Sequence, residues 1–463
     1  MEYNHQLFVK VWKKVRMSSN IRRIISVLKS PAIVLIIIIL MLFMNSAFSQ
    51  VVERFPKPDF KSGYTYPEIY NPTPRSQVLE YLDVFVLIIT LSLASYFALK
   101  TRSRQSIFVL MVFSLIYFGF WREGCVCSIG AIQNVTYALF DSTYAIPLTV
   151  IAFFILPLLF TLFFGRTFCA AVCPLGAIQD VVVLKPVSIP NWLSAILSLV
   201  PYIYLSLALL FAATGAGFII CQYDPFVGFF RFGATFNMIL FGLFMLLLGT
   251  MIARPYCRFL CPYGVLLNWM SRLSRRHVTI TPAECTNCRL CESSCPFDAI
   301  NKADEMKISE NKKTAVGRLA LLFLIMPVII FLGGYIVSHL NTTLSGLHNT
   351  VALAEEIRLE NSNQRIETTL ETRTFRASGK PVEKLNEEAR IIQDKFKTGG
   401  WLVGGFIGLI ICLKLLTLSL RRTRGEYTTD RGTCFSCARC FKSCPIEQER
   451  LIPLNRITLF DEF

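Results

Sequence analysis

The chain carries eight runs of predominantly apolar side chains, near 32–49, 79–100, 106–121, 146–164, 193–213, 236–253, 316–338 and 400–420. Each is close to the roughly 20 residues that an α-helix needs to cross a bilayer's hydrocarbon. A helix that is apolar on every side must be enclosed completely or face lipid, and only helices and closed barrels satisfy their backbone groups in lipid. The expectation is therefore an all-α polytopic membrane protein of about eight transmembrane helices. With 53% hydrophobic and only 17% charged residues, a soluble chain is excluded.

Positive charge orders the spans. Lys10, Lys13, Lys14, Arg16, Arg22, Arg23 and Lys29 precede the first one, which places the amino terminus on the cytoplasmic side. Strict alternation then puts 101–105, 165–192, 254–315 and 421–463 on that side as well. These segments carry Arg102 and Arg104, then Arg254, Arg258, Arg272, Arg275 and Arg276, then Arg421, Arg422 and Arg424. The net charge of +16 is accordingly read as basic flanks. No contiguous basic face points to nucleic acid. Trp121, Trp192 and Trp401 fall at span ends, where indole prefers to sit.

This divides the chain into a basic amino terminus and first span (1–50), an outer segment (51–78), a membrane core (79–275), a first cysteine-rich segment (276–315), two spans around an outer helical hairpin at 340–399 (316–420), and a second cysteine-rich segment (421–463). The first span ends Ala47-Phe48-Ser49-Gln50, a small-x-small pattern, so it reads either as a retained anchor or as a cleaved signal peptide. The outer hairpin is expected to be two helices broken at 378–381, serving as a stalk, a docking element or a spacer.

The cysteines supply the chemistry. Cys285, Cys288, Cys291 and Cys295 before Pro296, and Cys434, Cys437, Cys440 and Cys444 before Pro445, repeat the C-x2-C-x2-C-x3-C-P spacing that wraps a [4Fe–4S] cubane and sends its fourth thiolate to a neighbouring cluster. By that rule one cluster takes Cys285, Cys288, Cys291 and Cys444, and the other Cys434, Cys437, Cys440 and Cys295. Zinc is the weaker alternative, because zinc knuckles do not require the fourth Cys-Pro. The two segments must therefore meet as one small α+β ferredoxin-like domain on the cytoplasmic side.

A second constellation lies at the ends of two descending spans. Cys169 and Cys173 before Pro174, within a stretch opened by Arg166, resemble Cys257 and Cys261 before Pro262, opened by Arg254; this is an internal two-fold repeat. Thiols at i and i+4 share one side of a helical turn. Four thiolates from two such turns can hold a further iron–sulfur cluster at the inner membrane boundary; the competing reading is paired buried cysteines packing as small hydrophobes. The stretch from Gly124 to Val135, with Cys125 and Cys127, echoes the stretch from Cys173 to Val181, and Cys221 occupies the matching place in the second half. These three are expected near the outer boundary, either ligating an iron–sulfur centre with a non-cysteine fourth ligand, pairing in a disulfide, or remaining inert. Cys412, inside the last span, is read as core.

Other chemistries find no support. The histidines are His5, His277, His339 and His348, and no two sit on facing spans at matched depth for a haem. Neither a dinucleotide fingerprint, a phosphate loop nor a nucleophile grouping is present, so no catalytic residue is assigned. The stretch from Thr214 to Gly217 departs from a covalent-flavin site at its last position and lies at a span.

Over roughly 80–460, the paired C-x3-C-P turns and the two ferredoxin runs resemble the NosR/NirI-type membrane polyferredoxins, and more distantly the NapH-type quinol dehydrogenase subunits. The resemblance implies a multi-pass protein of a bacterial cytoplasmic membrane that passes electrons from a cytoplasmic reductant or quinol to an extracytoplasmic flavoprotein or reductase. The outer FMN-binding domain of longer members is missing here, which implies a separate docking partner. A redox-sensing or maturation role is the second reading that the resemblance leaves open.

Overall fold

The computed structural model describes residues 76–449 except 125–126, 185, 188, 281–284, 286–287, 302–311, 363–367 and 420–426. The expected first span, nearly all of the outer segment at 51–78, and Cys125 fall outside the described residues.

Among the described residues five helices are long and apolar enough to cross a membrane: Gln77–Leu99, Arg104–Trp121, Asn191–Ala213, Val316–His339 and Val382–Ser419. Two shorter apolar helices, Leu148–Phe164 and Phe236–Met251, form from two more of the expected runs. The outward faces of the last two long helices carry bare apolar side chains such as Phe331, Leu324 and Leu402, as expected of surfaces solvated by lipid tails. Asp83, buried within the first of these helices, is neutralised by Arg122 at 2.8 Å and accepts the Tyr117 hydroxyl at 2.8 Å.

Glycines draw the last two long helices together. A Cβ on Gly404 would lie 2.1 Å from the Gly333 carbonyl oxygen, and one on Gly408 would lie 2.8 Å from that of Ile329. Close backbone approach through small residues is the usual way apolar helices associate where burial of oily surface gives no net gain. This seam brings together the chain segments at either end of the pair. Ile300 and Asn301 pair antiparallel with Thr429 and Thr428 in a two-stranded sheet, and the rings of Phe297 and Phe435 meet at 4.6 Å.

The outer hairpin differs from the expected two helices. The break at 378–381 is present, with Gly379 at φ +69°. Before it, however, stand three helices, Asn341–Ser345, Asn349–Asn361 and Leu370–Ala377; after it, Val382–Ser419 runs 38 residues without interruption into the span. No proline interrupts 382–419, and Gly399 and Gly400 are held helical because their missing side chains are replaced by Leu210 and Ser338. Val351, Ala354, Ile357, Phe375, Leu385 and Ala389 form a separate small core here. Beside it the buried Glu360 accepts from Arg376 at 2.7 Å and from the Thr372 hydroxyl at 2.6 Å.

Candidate iron–sulfur centres

Each ferredoxin run turns on a left-handed residue directly after its second cysteine, Arg289 at φ +61° and Ala438 at φ +58°. Non-glycine residues rarely adopt this conformation. It reverses the chain between the second and third cysteines, and a short helix follows in each case, Leu290–Ser293 and Arg439–Ser443. Three thiols are thereby gathered around one loop.

Cys434, Cys437 and Cys440 line a small pocket together with Cys295 from the other run. Burial pushes the Cys434 thiol up to about 12, and neighbouring Cys437 and Cys295 add to the effect. Cys440 is raised by burial and then by the same three neighbours. In the reciprocal group Cys291 is raised by burial and then by Cys285, Cys288 and Cys444. The fourth cysteine of each run thus stands with the first three of the other.

Cys169, Cys173, Cys257 and Cys261 are all buried. Cys169 lies on a π-helical turn, Phe168–Val172, and Cys257 on the short helix Pro255–Phe259; Cys173 and Cys261 sit at the N-caps of Pro174–Val182 and Pro262–Arg272. Burial raises Cys173, followed by Cys257, Cys169 and Cys261; the amide of Gly176, three residues on, opposes the rise. Cys261 behaves alike, with burial first, then Cys257 and Cys169, opposed by the amide of Gly264 and by Arg166.

Buried thiols that mutually suppress ionisation fit a cationic cluster, which would hold all four as thiolates. No three His, Cys, Asp or Glu side chains among the described residues converge on a single metal ion. Sets of four cysteine thiols, with no imidazole among them, are the ligand chemistry of an iron–sulfur cluster.

In the sequence Arg166 and Arg254 stand out only as parts of the repeat, each three residues before a cysteine; the structure gives them contacts. Arg254 is fully buried, donates to the Cys169 carbonyl and, at 3.2 Å, to that of Ala170, and pairs with Asp180 at 3.2 Å. Asp180 also holds Arg104, and Arg439 at 3.0 Å. Burial raises this carboxyl, but Arg254, Arg104 and Arg439 outweigh it and hold it well below the usual carboxylate range. Arg166 places Nη2 3.8 Å from Cys169 Sγ, donates Nη1 to the Gly432 carbonyl at 3.0 Å, and lies 4.2 Å over the Phe435 ring. Gln179 donates to Cys257 Sγ at 3.4 Å.

Cys127 and Cys173, expected at opposite faces, line one cavity with Phe118, Phe153 and Phe168. The helices Ser128–Phe140 and Pro174–Val182 each start from one of these cysteines beside the cavity. Cys221 sits beside Gly130, whose Cβ would lie 3.0 Å from its Sγ, and close to Asp224. Cys412 is buried in the last span.

A model described as a 4Fe-4S binding domain matches twice, at 146–194 and 234–281, and these stretches contain the two C-x3-C-P turns. A second model of the same description matches 278–301, which contains the first ferredoxin run. The putative electron transport protein YccM of Escherichia coli is 32% identical over 119 residues, covering 23% of this chain and 33% of that protein. Protein NirI of Paracoccus denitrificans is 33% identical over 106 residues, covering 22% of this chain and 16% of NirI. An uncharacterized protein of Methanocaldococcus jannaschii is 36% identical over 77 residues, 16% of this chain and 31% of that protein. The chain thus matches a third or less of the length of each of these relatives. No solved structure matches.

Proposed function

We propose that this chain, whose domain matches and relatives support a NosR/NirI-type membrane polyferredoxin and an iron–sulfur electron-transfer role, is a transmembrane electron conduit between a cytoplasmic or quinol donor and an extracytoplasmic flavoprotein or reductase. The observation that carries the reading is a chain of contacts from the second ferredoxin run through the inner cysteines to Cys127. Phe435, between Cys434 and Cys437, lies under Arg166; Arg166 reaches Cys169; Cys169 lies with Cys173; and Cys173 shares a cavity with Cys127. One hop over roughly 30 Å of hydrocarbon would be prohibitive, so a chain of closely spaced centres is what the task demands.

In this reading Cys285, Cys288, Cys291 and Cys444 hold one [4Fe–4S] cluster, and Cys434, Cys437, Cys440 and Cys295 hold another. Cys169, Cys173, Cys257 and Cys261 hold a further iron–sulfur centre, and Cys127 and Cys221, with Cys125 by sequence, hold an outer one. Bound clusters supply reversible one-electron storage. The protein's own residues set the terms. Thiols bind, Arg166 and Arg254 offset negative charge, and Phe118, Phe153 and Phe168 exclude water from the cavity between the inner and outer sets. Eight spans, an internal two-fold repeat and cytoplasmic ferredoxin segments complete the proposal; the basic flanks support it.

The test is anaerobic purification followed by reconstitution into vesicles with a reductant on one side and a membrane-impermeant acceptor on the other. Iron near or above the roughly eight atoms of two cubanes, with acceptor reduction that disappears in Cys173→Ser, is expected. A zinc-loaded or iron-free protein, or transfer unaffected by Cys173→Ser, refutes it.

A further inference from the structure

Gln133 is fully buried, and its Nε2 has no hydrogen-bond partner among the described residues. Its Oε1 is engaged, accepting at 2.8 Å the amide N–H of Ile220, the residue before Cys221. The same grip occurs at the inner set, where Gln179 Oε1 accepts at 2.9 Å the N–H of Tyr256, the residue before Cys257, and Nε2 donates to Cys257 Sγ. The match extends along both helices. Gly130 and Gly176, three residues before each glutamine, leave room for the partner sulfur: added Cβ atoms would lie 3.0 Å from Cys221 Sγ and 3.7 Å from Cys257 Sγ. Three residues earlier again, Cys127 and Cys173 are the N-cap residues of their helices. Cys127 and Cys221 therefore occupy the frame that Cys173 and Cys257 occupy, but the donor that serves a sulfur in one is unused in the other. A buried amide donor left without a partner is costly, and such a group in a native site calls for an acceptor.

The frame lacks one cysteine. Cys261 follows Cys257 by four residues, whereas Pro225 stands four residues after Cys221, with Asp224 beside it. Asp224 is buried and near enough to both Cys127 and Cys221 for its charge to act on each thiol. Its Oδ1 accepts the amides of Phe226 at 2.8 Å and Val227 at 3.3 Å, and its Oδ2 accepts the hydroxyl of Tyr256 at 3.3 Å. Outer carboxylate and inner thiol are thus joined through Tyr256 and its neighbour Cys257.

Resting on the reading of an outer centre given above, we propose that Asp224 is the oxygen ligand of an iron–sulfur centre held by Cys127 and Cys221, in the place that Cys261 takes at the inner centre. Gln133 Nε2 then donates to that centre's sulfur as Gln179 does to Cys257. The bland alternative is that Asp224 merely closes the turn into 226–231 through its amide contacts, as aspartates commonly do.

Two substitutions separate these roles. Asn at 224 keeps the oxygen that closes the turn but loses the anionic ligand; Cys at 224 loses the turn oxygen but supplies a thiolate. The full chain, purified anaerobically in detergent, is measured for iron per chain and for electron paramagnetic resonance in the reduced state. Asp224→Cys is expected to retain iron with an altered outer signal, and Asp224→Asn to lose that signal while the ferredoxin signals persist. An unchanged spectrum in Asp224→Asn overturns the assignment, and so does loss of the signal in both variants, because a thiolate at the ligand position would have kept it. Cys127→Ser distinguishes failure of the underlying reading: if every signal survives that change, there is no outer centre to ligate.

Discussion

The Arg166 guanidinium lies 4.2 Å above the ring of Phe435, although 269 positions separate them in the chain (435 minus 166). The same guanidinium reaches Cys169, so one side chain touches both the inner set of thiols and the loop that carries Cys434 and Cys437. The contact sets a positive charge between two groups of prospective thiolates. In a partly desolvated site that charge favours the reduced, more negative state of a neighbouring cluster.

Replacing Arg166 with Gln is expected to lower the midpoint potential of the inner centre by on the order of 100 mV, from a charge a few ångströms away at an effective dielectric near 20. A potentiometric titration followed by electron paramagnetic resonance reads it. An unchanged or raised potential would show that Arg166 is structural only.

The exchange of fourth cysteines predicts which spectra move together. Cys295→Ser should perturb the same signal as Cys434→Ser, because Cys295 lines the cavity of Cys434, Cys437 and Cys440. Cys444→Ser should follow Cys285→Ser. If Cys295→Ser instead perturbs the signal of its own run, the pairing is local and the crossed assignment fails.

Gly404→Ala inserts a methyl group whose carbon would lie 2.1 Å from the Gly333 carbonyl oxygen. Overpacking of this kind costs about 1–3 kcal/mol, and the displaced helices carry both ferredoxin segments. A lower thermal midpoint and loss of iron from the two ferredoxin centres, with the inner centre retained, are expected. Wild-type iron and stability in this variant would remove the glycine seam from the account.

Asp180 binds three arginines, and Asp180→Asn leaves the fully buried Arg254 without a counter-charge. Breaking a buried pair from one side costs roughly 3–5 kcal/mol. The Asp180 carboxyl is held below its ordinary value in the folded protein. Its stabilisation is therefore present above the unfolded-state value of about 4 and is lost as pH falls through that value toward the folded one. The gap in thermal midpoint between wild type and variant should be full at neutral pH and shrink below about pH 4. A gap that does not change with pH would mean that ionisation of Asp180 contributes nothing.

Much of the architecture was legible because it is written in local patterns. Apolar length marked the helices, although Leu148–Phe164 and Phe236–Met251 are too short to qualify on length alone. The break at Gly379 was visible from its turn residues, but the continuity of Val382–Ser419 was not. Glycines at 399 and 400 look like a helix end in isolation, and only Leu210 and Ser338 filling the space beside them keeps the helix going. The candidate cysteines are marked by their spacing, whereas a single carboxylate such as Asp224 has no spacing that would single it out.

The sequence by itself determined what depends on neighbours along the chain: apolar helices, the basic flanks beside them, and thiols grouped at cluster-binding intervals. Tertiary structure decided the rest. It brought Cys295 into the cavity of the second run, drew Cys127 and Cys173 onto one cavity, and set Gln133 and Gln179 in matching grips on Ile220 and Tyr256. These relations follow from how close the helices pack, which glycine seams and buried ion pairs fix, and distance through the folded protein leaves no trace in distance along the chain.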